Sequence, residues 1–342
     1  MARSGISSAG NWIIDHVKLI DTWPAEETLA NIRGEAQGTG GAPYNVLVDL
    51  ARFGVKYPLQ GLGVVGADAD GAYIQEDCAR WGIDATRLRM VEDQPTSYTD
   101  VMTVRETGRR TFFHNRGANA LLGPDDLTPD RITGRIFHLG YLLLLDALDA
   151  SDAEYGTVAA RVLKRLQDAG IETSVDVVSE DSDRFGRLVP PGLRYVDYVI
   201  LNEIEAGRST GFEIRQGGGT VDVSALREAA KALLGLGQAK LVVIHMEEGG
   251  YALHRDSGEV FAPSLQLPKG YIKGSAGAGD AFCAGVLHGL HEGWPLDETL
   301  RFANCAAAAN LSDPTCTDGI PPLPEIQGLG RLYPLRPSLL AE

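Results

Sequence analysis

A chain of 342 residues, 44% hydrophobic and 23% charged, has the composition of a globular protein that buries a substantial core. Its formal charge of −15, with no compensating block of Lys and Arg, argues against a nucleic-acid or anionic-membrane partner. Cys78, Cys283, Cys305 and Cys316 have no C-x-x-C spacing, the N-terminus has no apolar signal region, and the longest apolar run, Leu139–Leu145, cannot span a bilayer. The expectation is a cytoplasmic protein with free thiols in a reducing compartment.

In chain order, Trp12–Ile20, Glu26–Glu35, Ser97–Val104 and Arg110–Asn115 show period-two character and are predicted to be extended. Asn45–Phe53 reads as a helix closed by Gly54. Tyr98–Val104 and Thr111–His114 flank Glu106-Thr107-Gly108-Arg109, a hairpin turn. From about residue 130 short apolar runs alternate with amphipathic stretches. Arg135–Leu139 is a predicted strand, Ala153–Ala169 a helix ended by Gly170, and Glu172–Val178 and Tyr195–Leu201 are strands. Gly217-Gly218-Gly219 reads as a flexible loop, Ser224–Leu236 as a helix and Leu241–His245 as a buried strand. This alternation predicts βαβ units, a mostly parallel sheet covered by helices, and an active crevice at the carboxyl ends of its strands. The antiparallel pieces of the first 120 residues read either as a lid over that crevice or as an edge extension of the main sheet.

The run Lys273-Gly274-Ser275-Ala276-Gly277-Ala278-Gly279-Asp280-Ala281-Phe282 carries the chemistry. Its small residues let main chain approach a ligand, and Ala281–Leu290 reads as the helix that follows. A glycine-rich turn feeding a helix offers unpaired amides and the positive end of the dipole to an anion. Asp280, in the first turn, is placed to take a proton from a hydroxyl beside that anion, as phosphoryl transfer to an alcohol requires. The same residues also suit a tight loop in which Asp280 caps the helix.

Three further segments accompany that run in order: Gly40-Gly41-Ala42-Pro43-Tyr44-Asn45 with Leu50-Ala51-Arg52-Phe53-Gly54, then Gly61-Leu62-Gly63-Val64-Val65-Gly66-Ala67-Asp68, then Asn202-Glu203-Ile204-Glu205. Together they resemble the signatures of ribokinase-like (PfkB-type) carbohydrate kinases, from about Gly10 to Pro321. The resemblance implies one domain over residues 1–342, with a three-layer α/β/α core, a mostly parallel doubly wound sheet, and lid strands from about 12–39 and 97–116. It implies ATP-dependent phosphorylation of a sugar hydroxymethyl group, with Asp280 as base and the amides of Gly277, Ala278, Gly279 and Asp280 as anion hole. Asp15, Gly40, Gly41 and Asn45 would hold the sugar, and His114 and Asp146 border it. Asn202 and Glu205 would orient water around Mg²⁺ on ATP, and they equally suit a helix cap with a capping box. His245, Gly250 and Asn304 would border the nucleotide. A lid-to-lid homodimer would cover exposed strand edges.

Two departures stand out. Gly274-Ser275 replaces the Asp-Thr common in the family, whose aspartate helps bind an activating monovalent cation, so potassium activation is in doubt. His245-Met246-Glu247-Glu248-Gly249-Gly250 stands where the family often reads Thr-x-Gly-x-x-Gly. Gly249 and Gly250 keep a flexible loop, while Glu247 adds a negative charge beside the triphosphate. The alternatives are a nucleoside kinase, with Trp12, Tyr44 or Phe113 stacking on the base, and a catalytically silent sugar binder. A dehydrogenase lacks its dinucleotide fingerprint after the first strand.

Overall fold

Strands covered by helices on both faces must be apolar on both, and β1 (Ile6–Gly10) is buried at every position. The computed structural model describes residues 3–178, 184–217 and 219–340, so Gly218 of the expected glycine loop lies outside the described residues. After β1 the chain enters a second sheet through β2 (Ile13–Ile20) and β3 (Ile32–Gly40), then returns to the core in α1 (Ala42–Phe53). Next come β4 (Leu59–Gly66), α2 (Ala69–Arg80) and β5 (Asp84–Val91), followed by β6 (Ser97–Val104) and β7 (Arg110–Asn115) of the second sheet. The core resumes with β8 (Ile136–Leu142), α3 (Asp146–Asp149), the two-residue strands β9 (Ser151–Asp152) and β10 (Gly156–Thr157), α4 (Val158–Asp168) and β11 (Glu172–Val177). It continues through α5 (Phe185–Leu193), β12 (Tyr198–Asn202), α6 (Glu203–Thr210), α7 (Val223–Gly235) and β13 (Leu241–Met246). β14 (Gly249–His254), β15 (Gly258–Pro263), α8 (Ala278–Glu292), α9 (Leu296–Asn310) and α10 (Leu323–Leu332) complete it.

The main sheet has nine strands in the order β15-β14-β13-β12-β11-β8-β1-β4-β5. Pairing is parallel from β13 to β5, and β14 and β15 add an antiparallel edge. Alternation along each strand assigns the faces. Val199, Leu201, Val242 and Ile244 face α4, α5 and α7, whereas Tyr198, Ile200, Leu241 and Val243 face α1, α8 and α9. Each fully buried Leu or Ile contributes roughly 1.5–3 kcal/mol to this three-layer arrangement. The strand order reverses between β1 and β8, and the crevice expected at such a switch point opens at their carboxyl ends. The second sheet, β3-β2-β6-β7, is separate from the first rather than an extension of its edge.

Several element boundaries differ from expectation, among them the start of α8 at Ala278 rather than Ala281 and of β12 at Tyr198 rather than Tyr195, and three have a clear local reason. The extended piece expected at Glu26–Glu35 is β3, Ile32–Gly40, because pairing with β2 runs from Ile20 opposite Ile32 to Ile13 opposite Gly40. The Asp21 carboxylate takes both the backbone and side-chain N–H groups of Asn31, so the chain stays irregular up to that point. The helix expected from Ala153 begins at Val158: Asp152 accepts the amides of Glu154 and Tyr155 in a turn, and the Thr157 hydroxyl caps Ala160 at 3.2 Å. α1 begins at Ala42 instead of Asn45, since Pro43 is compatible with a first helical turn.

Candidate active site

Asp280 is the third residue of α8, is 7% exposed, and points into the crevice at the carboxyl ends of β1 and β8. Asn45 of α1 donates Nδ2–H to its Oδ2 at 2.7 Å, and the Tyr141 hydroxyl donates to its Oδ1 at 3.3 Å. Each donor is itself held. The Thr39 hydroxyl donates to Asn45 Oδ1 at 2.8 Å, and the Tyr141 amide donates to Asn11 Oδ1 at 2.6 Å. Burial pushes the Asp280 carboxyl up to about 6, against the lowering effect of the Asn45 and Tyr141 bonds. A carboxylate with that pKa is ionised at neutral pH and basic enough to take a hydroxyl proton.

The backbone leading into Asp280 is fixed by sterics. Gly277 caps α8 with φ 79°, and a Cβ there would fall 2.2 Å from Cys316 O. No side chain caps this helix, so its first-turn amides at Ala278, Gly279 and Asp280 are left for an anion. The amides and Asp280 share a cleft of about 210 Å³ with Tyr141, Asp176, Asn202, Glu205 and His245. Asn202 and Glu205 do form the capping box of α6: Asn202 Oδ1 accepts the Glu205 amide at 2.9 Å, and Glu205 Oε2 accepts the Asn202 amide at 3.0 Å. They cap the helix and line the cleft at once. Burial, with the Glu205 and Asp280 charges, holds the Asp176 carboxyl well above its ordinary range. Among the described residues no group of three His, Cys, Asp or Glu side chains is arranged to grip a metal directly.

A second cleft of about 390 Å³ adjoins α8 on its far side, lined by His245, Leu265, Ile272, Gly279, Asn304 and Ala308 among others. His245 is held near a pKa of 4 by burial and lies against the Phe282 ring, so it is neutral. Asn304 donates to the carbonyls of Ala262 and Pro263, which fixes its amide at the rim. Gly250 is not in a flexible loop. It lies in β14 opposite His245, where a Cβ would come 2.8 Å from the Phe282 ring, so close packing requires this glycine. Glu247 is paired with Arg336 at 2.8 Å, and both residues line the cleft, which offsets the charge expected to oppose a triphosphate.

The lid side holds the remaining residues. Asp15 of β2 is half-buried behind Gly40, where a Cβ would meet its Oδ1 at 2.6 Å. Burial is the main cause raising the Asp15 carboxyl to about 7, with Asp280 raising it further and Thr99, Cys316 and Arg110 lowering it. Gly41 caps α1 at φ 84° and sits against Asn11 O. His114 Nδ1 bonds the Thr99 hydroxyl at 3.1 Å, while its buried Nε2 has no partner among the described residues. Asp146 stands apart: it is exposed, opens α3 and pairs with Arg116. Trp12 and Tyr44 are fully buried core residues bonded to Leu62 O and Asp77, so neither is available to stack on a base.

Sequence reasoning missed four residues here. Tyr141 lies near the carboxyl end of β8 and Asn11 directly follows β1, the kind of placement that singled out Asn202. Asp176 lies next to the carboxyl end of β11, facing the same cleft. Asp49, one turn after Asn45, is fully buried with neither oxygen partnered among the described residues. Burial, with the Asp280 charge, raises its carboxyl well above the ordinary range.

A model of pfkB family carbohydrate kinases matches residues 7–323. The chain belongs to the pfkB family of carbohydrate kinases. Its relatives include a 5-dehydro-2-deoxygluconokinase of Shouchella clausii, 23% identical over 309 residues, covering 90% of this chain and 89% of the relative. An ATP-dependent ribose-1-phosphate kinase of Halopiger xanaduensis is 25% identical over 304 residues, covering 89% and 90%. The structure of Arabidopsis thaliana ribokinase complexed with ribose and ATP superposes with a TM-score of 0.78 at 22% identity, covering 96% of this pfkB kinase and 99% of the ribokinase. The shared fold is the three-layer core with its separate small sheet.

Proposed function

We propose that this kinase transfers the terminal phosphoryl group of ATP to a hydroxymethyl group of a small sugar, with Asp280 as the base. The observation that carries this reading is the placement of a buried carboxylate, fixed by Asn45 and Tyr141, in the first turn of an uncapped helix. The sugar hydroxyl donates its proton to Asp280 as its oxygen attacks phosphorus. The amides of Ala278, Gly279 and Asp280 then stabilise charge on the equatorial oxygens. Asp15 and Asn45 accept and donate to the remaining hydroxyls, and a sugar lacking one of these would leave a buried polar group unpaired.

Magnesium fits this site as a hydrated ion brought in on the nucleotide phosphates, reached by Asn202 and Glu205 through water, where it would neutralise phosphate charge. The cleft along His245, Gly279 and Asn304 suits the nucleotide, being apolar where a base would lie and open to α8 where phosphates would lie. The ribose and ATP of the Arabidopsis ribokinase complex, and the sugar substrates in the names of the relatives, support the same reading. Burial of Trp12 and Tyr44 favours a sugar over a nucleoside. The lid also presents Leu19, Ile32, Phe112 and Phe113 to solvent, which we read as the contact of a lid-to-lid homodimer. Light scattering checks that contact, with Phe112→Asp expected to give a monomer. The activity itself is tested by ADP release over a panel of sugars, sugar acids, sugar phosphates and nucleosides. Turnover on a sugar supports the reading, and silence across the panel refutes it.

A further inference from the structure

The lid reaches the loops around the anion hole through one cation. Arg110 opens β7, opposite Thr103 in the register, and its guanidinium crosses out of the lid sheet to donate a long hydrogen bond, 3.4 Å, to Pro314 O. The same Nη2 stands 2.8 Å from the point a Cβ on Gly274 would occupy. Pro314 Cα is also 2.8 Å from that point, and Asp313 O is 3.2 Å from it. Only glycine at 274 leaves room for both the guanidinium and the loop. Arg110 lines the two clefts on either side of this junction, one shared with Phe112 and Lys273, the other with Asp15 and Cys316. Burial holds the Asp15 carboxyl and the Cys316 thiol above their ordinary ranges, and the Arg110 charge opposes that rise in both. The loop it holds runs on to Cys316, whose carbonyl abuts Gly277 at the cap of α8. A positive charge on the lid is therefore fixed against the main chain that shapes the anion hole.

The resemblance to the family would place an activating monovalent cation beside residue 274, and the residues present do not fit one. There is no carboxylate at 274. One oxygen of the nearby Asp313 carboxylate, Oδ1, is taken by the amide and hydroxyl of Thr315. The ground beside Pro314 O is held by a guanidinium, which repels any second cation.

We propose that the Arg110 guanidinium is a tethered cation acting in place of a free monovalent ion, so that this kinase works without alkali cations and its anion hole is positioned only while the lid is down. Arg110 is thus a positioning residue: it touches the loop behind the hole, not the reacting atoms.

The kinetic arm of the test rests on the kinase reading, and the thermal arm does not. ADP release by the wild type is compared in chloride salts of potassium, sodium, caesium and tetramethylammonium at fixed ionic strength. Rates equal within about twofold are expected, and larger activation by potassium overturns the proposal. Wild-type Tm is expected to be the same in potassium and tetramethylammonium chloride, and a potassium-specific rise overturns it whether or not a substrate has been found. Arg110→Ala should lose at least about tenfold in kcat, and free guanidinium should restore part of that loss. Folded Arg110→Ala that keeps full kcat, or that guanidinium does not rescue, contradicts the assignment. If Arg110→Ala does not fold, Arg110→Lys takes its place. It keeps the charge without the fork, and should keep most of its activity in every salt; a rate that falls as far as a neutral residue's should, or that only potassium restores, contradicts the proposal.

Discussion

The carboxyl end of the core sheet and the lid sheet solve different problems with different materials. Around α8 the groups are held in place: Asp280 by Asn45 and Tyr141, these by Thr39 and Asn11, and Gly277 by the carbonyl of Cys316. The lid exposes Phe112 and Phe113 and sends Asp15, Thr39 and Arg110, among others, toward the core. Transition-state charge needs donors that do not reorganise, so the phosphoryl end is rigid. On the proposed reading, choice of sugar and exclusion of water need a surface that moves, and the lid is the part suited to them.

Removing the base gives the largest expected break in this division. Asp280→Asn should lower kcat by about a thousandfold while sugar affinity stays close to wild type, since Asn45, Asp15 and the lid remain. Calorimetric titration with the best sugar beside steady-state kinetics would check it, and joint loss of affinity and turnover would mean that Asp280 chiefly binds.

A lid-side change should do the reverse. Asp15→Asn is expected to raise the sugar KM by tens of fold with a smaller change in kcat, because the sugar hydroxyls lose one of the two carboxyl oxygens. It should also alter stability with pH in a definite sense. A raised carboxyl favours the folded state fully below its unfolded pKa near 3.8, and that contribution is lost as pH rises through about 7. Melting curves should therefore show the variant more stable than wild type at pH 8, with the advantage gone by pH 4. Asp146→Asn marks the lower bound: an exposed group paired with Arg116 outside the cleft should leave kcat and KM within about twofold.

The same contrast decides what could be read from the sequence. The glycine run at 274–280 and the capping pair Asn202 and Glu205 are local in sequence. The helix end, its register and the cleft it faces follow from them. What stayed hidden depends on pairing over long separations. β3 was displaced by the register of β2, Gly250 was taken for a loop residue because Phe282 lies far along the chain, and Tyr141 reaches Asp280 only through the switch in strand order. Arg110 carries no local signal at all. Its meaning comes from Gly274 and Pro314, which the fold brings to it.

The most direct test of the account is the pH dependence of kcat/KM with the best sugar, over the range in which circular dichroism is unchanged. An acid limb is predicted with a midpoint near 6 and unit slope, activity rising as Asp280 loses its proton, and Tyr141→Phe should move that limb upward by removing a donor to the carboxylate. A profile flat through that region, or one that rises as pH falls, would contradict it.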